Sequence, residues 1–227
     1  MSQSGSAYQV KTNDYFKNVR QEILPLLPNH VGRLLEVGCG AGDTLSFLKS
    51  SGRCGWAAGM EIFPAAAQSA REKIDFVLEG NIETVNLPFD INSLDVILCL
   101  DVLEHLIDPW DVIRRLHTLL KPGGILICSI PNVRHYRASI PLLFLGRWRY
   151  SDHGILDKTH LRFFTRESAI ELAASSGLLV DKVNSTGLEK WSKAGIANLF
   201  TLSIFKRLFE FQYLIRATKK CTDREDE

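Results

Sequence analysis

The chain alternates short apolar runs with stretches whose apolar residues recur every three or four positions, the pattern of strands followed by covering helices. Leu34, Leu35 and Val37 predict a buried strand over 34–37, and 43–49 reads as a helix with Leu45, Phe47 and Leu48 to bury. Further strands are expected at 56–62, 75–79, 94–100 and 125–130. Between the last two, an amphipathic helix over 111–120 is stopped by Lys121-Pro122-Gly123-Gly124. After residue 130 the alternation lapses until Thr165 and Glu167, which suggest a capped helix through Ser176. Strands at 178–183 and 211–218 close the pattern.

The two ends are less regular. Residues 1–12 are expected to be disordered. Asn13 or Asp14 can cap a helix through Leu24 that buries Phe16, Val19 and Ile23 and is ended by Pro25 and Pro28. That helix either lies over a sheet edge or brings Tyr15 and Arg20 over a ligand. Residues 199–209 are apolar with Lys206 and Arg207 interleaved. A membrane-surface helix fits that composition, but a helical cover over 192–210 is the commoner outcome.

Composition narrows the classes. At 227 residues and 45% apolar content, one domain with a full core is expected. The net charge of +1 gives no global case for nucleic acid or a membrane. Cys39, Cys54, Cys99, Cys128 and Cys221 are odd in number and scattered, so they read as reduced thiols of a cytoplasmic protein rather than a disulfide frame or a zinc site. The N-terminus is polar and does not read as a signal peptide, and no apolar run reaches the roughly 20 residues of a spanning helix.

The most informative stretch is Glu36-Val37-Gly38-Cys39-Gly40-Ala41-Gly42, where the first strand runs through three glycines into a helix. Such a turn lets a ligand approach the backbone, and the helix start adds unpaired N–H groups. A dinucleotide fold wants G-x-G-x-x-G; here Asp43 stands at the third glycine position. Glu36 would repel a pyrophosphate and suits a ligand carrying an ammonium group. The run resembles the first motif of class I S-adenosylmethionine-dependent methyltransferases. That resemblance implies a seven-stranded, mostly parallel, doubly wound α/β sheet with an antiparallel last strand. It also implies that Gly38, Cys39, Gly40 and Gly42 lie along the methionine and ribose of S-adenosylmethionine, with Glu36 at the amino-acid end; where the first helix closes over the ligand, Arg20 is the residue to pair with the carboxylate.

Glu61, at the end of the second strand, is placed to take both ribose hydroxyls, with Ile62 beside it. By resemblance Asn81 meets the adenine amino group, Ile82 packs on the ring, and Leu100 and Asp101 line the cofactor. Many relatives carry Asp at the position of Asn81, whose amide oxygen can still accept. Glu104-His105 resembles the pair of ubiquinone-biosynthesis-type O-methyltransferases; equally, both residues can brace the next helix. Neither N/D-P-P-Y nor Pro-Cys follows the fourth strand, which disfavours base methylation.

Residues 131–166 are expected to be an acceptor-recognition insertion. Within it, residues 154–165 resemble a subgroup of bacterial methyltransferases of polysaccharide and small-metabolite biosynthesis. Seven cationic residues there (Arg134, Arg137, Arg147, Arg149, Lys158, Arg162 and Arg166) face only Asp152 and Asp157, with aromatic residues between them. Forked guanidinium donors and flat rings suit an anionic acceptor, such as a nucleotide-linked sugar or a carboxylated metabolite. Arg134, His135, Tyr136, His153, Asp157 and Arg162 are the candidates to hold it. The reaction expected is methylation of a hydroxyl on a small molecule or glycan, with His105 or His160 as base. No metal set is evident, although His and Asp residues in the insertion leave one open. The alternatives are a non-catalytic S-adenosylmethionine-binding subunit and a nicotinamide oxidoreductase, the latter opposed by Asp43.

Overall fold

In a computed structural model, residues 19–187 and 206–221 are described. Seven strands form one sheet: β1 (Val31–Val37), β2 (Cys54–Glu61), β3 (Phe76–Glu79), β4 (Leu94–Leu100), β5 (Leu120–Pro131), β6 (Leu179–Thr186) and β7 (Gln212–Thr218). The helices are α1 (Asp43–Ser50), α2 (Pro64–Arg71), α3 (Pro109–Leu119), α4 (Tyr136–Leu145), α5 (Arg166–Ala174) and the short α6 (Lys206–Phe209). The sheet order is β3-β2-β1-β4-β5-β7-β6, parallel except that β7 runs antiparallel to both neighbours. The doubly wound expectation, including the reversed last strand, holds.

The inner parallel strands β1, β2, β4 and β5 are largely buried on both faces, which is why they read as apolar runs rather than alternating ones, whereas the edge strands β3 and β6 are half-buried or exposed. Leu35, Val37, Ile97, Cys99, Leu126 and Cys128 face α3 and α5, meeting Val112, Ile113, Leu116, Ala169 and Leu172. Leu34, Val96, Leu98 and Ile127 face the other way, toward Ile23, Leu26, Leu45 and Leu48. Among the described residues no helix is long and apolar enough to cross a membrane.

Several boundaries differ from expectation. The strand expected at 125–130 begins at Leu120, and the Lys121–Gly124 segment read as a stop is an excursion within it. Leu94 pairs with Leu120 and Val96 with Ile125, so the ladder bulges between them. Gly123 at φ +77° permits that turn, and its N–H donates to the Lys219 carbonyl at 2.9 Å. Helix α2 was not expected: its buried residues are alanines, too weakly apolar to mark a face. Helix α4 was also missed, because it contains Pro141 and its C-terminal half is apolar on every side. In place of the expected helix through Leu24, the described part is a 3-10 helix over Gln21–Leu26; residues 13–18, Tyr15 included, lie outside the described residues. The same is true of residues 1–12 and of most of the expected cover at 192–210, of which only α6 and its neighbours are described.

Candidate active site

The glycine turn lies at the carboxyl end of β1. The N–H groups of Gly38 and Cys39 both donate to the Met60 carbonyl, at 2.8 and 3.0 Å, which ties the turn to β2. Gly38, Gly40 and Gly42 have φ of +71°, +54° and +77°, so each holds a left-handed conformation that other residues adopt at a cost. Two of these glycines are also required by packing. A Cβ on Gly38 would stand 2.6 Å from Val102 Cγ2, and one on Gly42 would stand 3.1 Å from Ala70 Cβ. The expectation that all three leave space for a ligand therefore needs adjusting: the protein itself fills the space beside Gly38 and Gly42. Cys39 turns its side chain inward, where it would meet a Cβ on Gly59 at 2.4 Å, so only its backbone faces the turn.

Two carboxyl groups flank the turn, and both are buried. Glu61 accepts from Gly40 N–H at 2.8 Å and, through its other oxygen, from the Ile62 and Phe63 N–H groups at 2.9 and 3.0 Å. Ribose hydroxyls would have to share this carboxylate with three backbone donors. Glu36 differs: its Oε2 is buried with no hydrogen-bond partner among the described residues. Burial pushes the Glu36 carboxyl up to about 8, eased by Arg20 and reinforced by Glu61. A buried, unpartnered carboxyl oxygen is costly, and an ammonium group would satisfy it.

Arg20 reaches over the sheet. Its Nη1 pairs with Asp101 Oδ2 at 2.6 Å, and its backbone N–H donates to Thr44 Oγ1 at 3.2 Å on the first turn of α1. The other terminal nitrogen, Nη2, lies 3.3 Å from Ser129 Oγ and 3.4 Å from Gln212 Oε1. Asp101 is held at φ +56°, a strained angle for a non-glycine residue, and its N–H donates to Ser129 Oγ at 2.9 Å. Ser129 and Gln212 had not been singled out. Nothing local in the sequence marks Gln212; it arrives beside Asp101 because β7 pairs with β5.

Asn81 accepts from Glu83 N–H at 2.9 Å through the oxygen expected to meet adenine, while Ile82 is buried in the core and Ile62 is half exposed. Leu100 is buried at the end of β4.

Next to Val102 lies a histidine pair. The rings of His105 and His160 stand edge to face with centroids 4.7 Å apart. The backbone carbonyl of Glu104 accepts from Leu161 and Arg162 N–H at 2.9 and 3.0 Å, clasping the turn after β4 to the 155–162 loop. His105 Nδ1 sits 3.2 Å from the Thr159 carbonyl and 3.1 Å from its hydroxyl. That hydroxyl donates to Asp157 Oδ1 at 2.7 Å, so both Thr159 oxygens can accept and Nδ1 carries the proton. His160 Nδ1 faces the Ile155 carbonyl at 3.1 Å, which assigns its proton in the same way. In the neutral form of each ring Nε2 is then the acceptor nitrogen. His160 Nε2 is 4.0 Å from Oε1 of Glu104, whose carboxyl is buried and pushed well above the usual carboxylate range by desolvation. One ligand atom each from Glu104, His105 and His160 lies within 4.8 Å of the others, a donor set able to hold a divalent cation. The sequence showed no such set, because Glu104 and His160 are far apart in the chain. Thr159 was overlooked too, although Asp-x-Thr-His marks a side-chain-bonded turn.

The acceptor candidates divide. His135 is buried, caps α4 by accepting from Arg137 N–H at 3.3 Å, and is lowered to about 4 by burial and then by Arg137. Asp157 is buried and accepts from Thr159 N–H at 2.8 Å. Both serve loop structure, so direct acceptor contact falls to the others. Arg134 and His153 are exposed, as is Arg162, which donates to the Ile107 carbonyl and lies 5.9 Å from the Trp110 ring; Tyr136 is half-buried under Arg137.

A family model described as a methyltransferase domain matches residues 11–183. The chain belongs to that family. Its cofactor is S-adenosylmethionine. A ubiquinone biosynthesis O-methyltransferase of Cereibacter sphaeroides is 28% identical over 166 residues, which cover 71% of this chain and 65% of that protein's length. Among solved structures, a SAM-dependent methyltransferase from Archaeoglobus fulgidus superposes with a TM-score of 0.65 at 20% identity, covering 92% of this chain and 95% of that one. One from Mesorhizobium loti gives 0.62 at 18%, covering 87% and 96%. The partnerless oxygen of Glu36 beside the glycine turn fits the ammonium end of this cofactor.

Proposed function

We propose that the protein transfers a methyl group from S-adenosylmethionine to a hydroxyl oxygen of a small, anionic acceptor. The observation that carries this reading is the His105–His160 pair. Both Nδ1 atoms are pinned to main-chain carbonyls, and the His105 N–H donates at 3.0 Å to the carbonyl of Val102, the residue packed beside the turn at Gly38.

When bound, the cofactor supplies a methyl group already activated on a positively charged sulfur. Glu36 receives the ammonium group, the Gly40 turn carries the adjoining part, and Glu61 shares its carboxylate with the ribose. Arg20 can exchange its bond to Asp101 for the cofactor carboxylate. The remaining demand is alignment of the acceptor oxygen and removal of its proton. A histidine with Nδ1 held as donor presents Nε2 as the proton acceptor, and His105 and His160 both meet that description. Arg134 and Arg162 supply forked donors for a phosphate or carboxylate on the acceptor. The relative from Cereibacter sphaeroides is named for O-methylation, which agrees with a hydroxyl target.

The test is formation of S-adenosylhomocysteine on incubation with panels of phosphorylated, nucleotide-linked and carboxylated hydroxyl compounds. Acceptor-dependent release that is lost in a His105→Gln, His160→Gln double variant supports the reading. Tight cofactor binding with no turnover on any hydroxyl compound would make the protein a non-catalytic binding subunit instead.

A further inference from the structure

The most exposed apolar surface among the described residues is the end of α4. Leu143 is 77% exposed, Phe144 73% and Leu145 60%, with Ile140 and Leu142 close to half exposed. Ala138 is the helix's buried residue. Because Leu142, Leu143, Phe144 and Leu145 are consecutive, they point in all directions around the helix axis. A protein groove takes one stripe of a helix, at positions three and four apart. An end that is apolar on all sides fits a surrounding apolar medium.

The charge around that end is equally one-sided. Residues 131–151 contain Arg134, Arg137, Arg147 and Arg149 and no Asp or Glu. All four arginines are exposed. Two precede the apolar end and two follow it, with Trp148 and Tyr150 alongside the second pair. Trp148 is held edge-on to Phe163 at 5.1 Å, and Tyr150 is exposed. Apolar tip, arginine collar and neighbouring Trp and Tyr form the sequence of layers from acyl chain to headgroup. A second copy of this surface would bring arginines against arginines, which opposes self-pairing.

We infer that the end of α4 docks the protein on an anionic lipid bilayer. Leu143 and Phe144 enter the acyl boundary while Arg147 and Arg149 lie at the lipid phosphates. Helix α4 starts five residues past the end of β5, so its first turn, and not the docked end, follows the strand that carries Ser129. The surface is independent of which acceptor is methylated, and its test needs no turnover.

The experiment is flotation of the full chain with phosphatidylcholine vesicles, with and without phosphatidylglycerol. Binding is expected with the anionic lipid and should be released by added salt. Leu143→Asp with Phe144→Asp should weaken binding about a hundredfold, and Arg147→Ala with Arg149→Ala roughly thirtyfold. Calorimetry with S-adenosylhomocysteine should give each variant an unchanged affinity, which separates lost docking from lost folding. If the aspartate pair does not fold, Phe144→Ser alone, expected to cost about tenfold, takes its place. Quenching of tryptophan fluorescence by brominated acyl chains should disappear in Trp148→Phe. Failure to bind anionic vesicles, binding unaltered by the Leu143 and Phe144 changes, or a solution dimer that those changes dissociate would each overturn the inference.

Discussion

Val102 Cγ2 lies 2.6 Å from the point where a Cβ on Gly38 would stand, so the turn after β1 and the turn after β4 are packed as one unit. The first turn is the one proposed to carry the cofactor, and the second leads through Leu103 into Glu104 and His105. Gly38→Ala meets both the left-handed backbone, costing about 1–2 kcal/mol, and the Val102 methyl. We expect it to lower S-adenosylhomocysteine affinity and stability together. Val102→Ala should recover the steric part, giving a coupling of roughly 1 kcal/mol in a double-mutant cycle. Simple additivity of the two changes would mean that the turns do not share this contact.

Glu36 sets a pH dependence. Its carboxyl, raised by burial to about 8, is protonated at neutral pH in the free protein and must ionise to receive an ammonium group. Affinity for the cofactor should therefore rise about tenfold per pH unit toward pH 8. Above that it should fall as the ligand's own amine, with an ordinary value of about 7.7–8.0, loses its proton. In calorimetry Glu36→Gln should lose the acid-side rise. A profile unaffected by that substitution would remove Glu36 from the site.

The same shift bears on folding. A carboxyl raised in the folded state contributes stability that is complete below the unfolded value of 4.5 and is lost as pH rises through about 8. The difference is on the order of 4–5 kcal/mol. Thermal melts of the free protein should decline over that interval, more steeply than those of Glu36→Gln, and bound S-adenosylhomocysteine should offset the decline near pH 8.

The two histidines are separable by kinetics. Replacing the one that acts as base with Gln should lower kcat by roughly 10²–10⁴-fold with cofactor affinity retained. Thr159→Val removes the hydroxyl that accepts from His105 but keeps the carbonyl, so a smaller loss is expected if His105 is that base. Near-full activity in both single Gln variants would leave alignment alone as the source of the rate.

An anionic acceptor carries its own signature. Its KM should climb with ionic strength, because exposed guanidinium groups are screened within a Debye length of about 8–10 Å. Arg134→Ala should raise the KM without altering cofactor affinity. Salt-independent turnover of a neutral compound would count against the arginines as acceptor ligands.

The centre of the sheet was legible because its inner strands are buried on both faces, and continuous apolar runs such as Leu94–Leu100 leave little choice of conformation. The glycine turn was legible for a similar reason, since three left-handed positions on alternate residues need glycine. The cross-strand network was harder to read. Arg20 meets Asp101, Ser129 and Gln212 only once β4, β5 and β7 lie side by side. Local spacing could not show that Glu61 is already bound by three backbone N–H groups, or that His135 is spent on capping α4. Helix α4 carried no period because its exposed half is uniformly apolar, and that same feature is what makes it a candidate docking surface.

The most direct test of the central claim is a crystal structure of the protein with S-adenosylhomocysteine. The account predicts the ligand ammonium within hydrogen-bond distance, about 3 Å, of Glu36 Oε2. It also predicts that the sulfur faces the side of the sheet that carries the His105 and His160 rings. An ammonium group bound elsewhere, or a sulfur facing away from that pair, would contradict it.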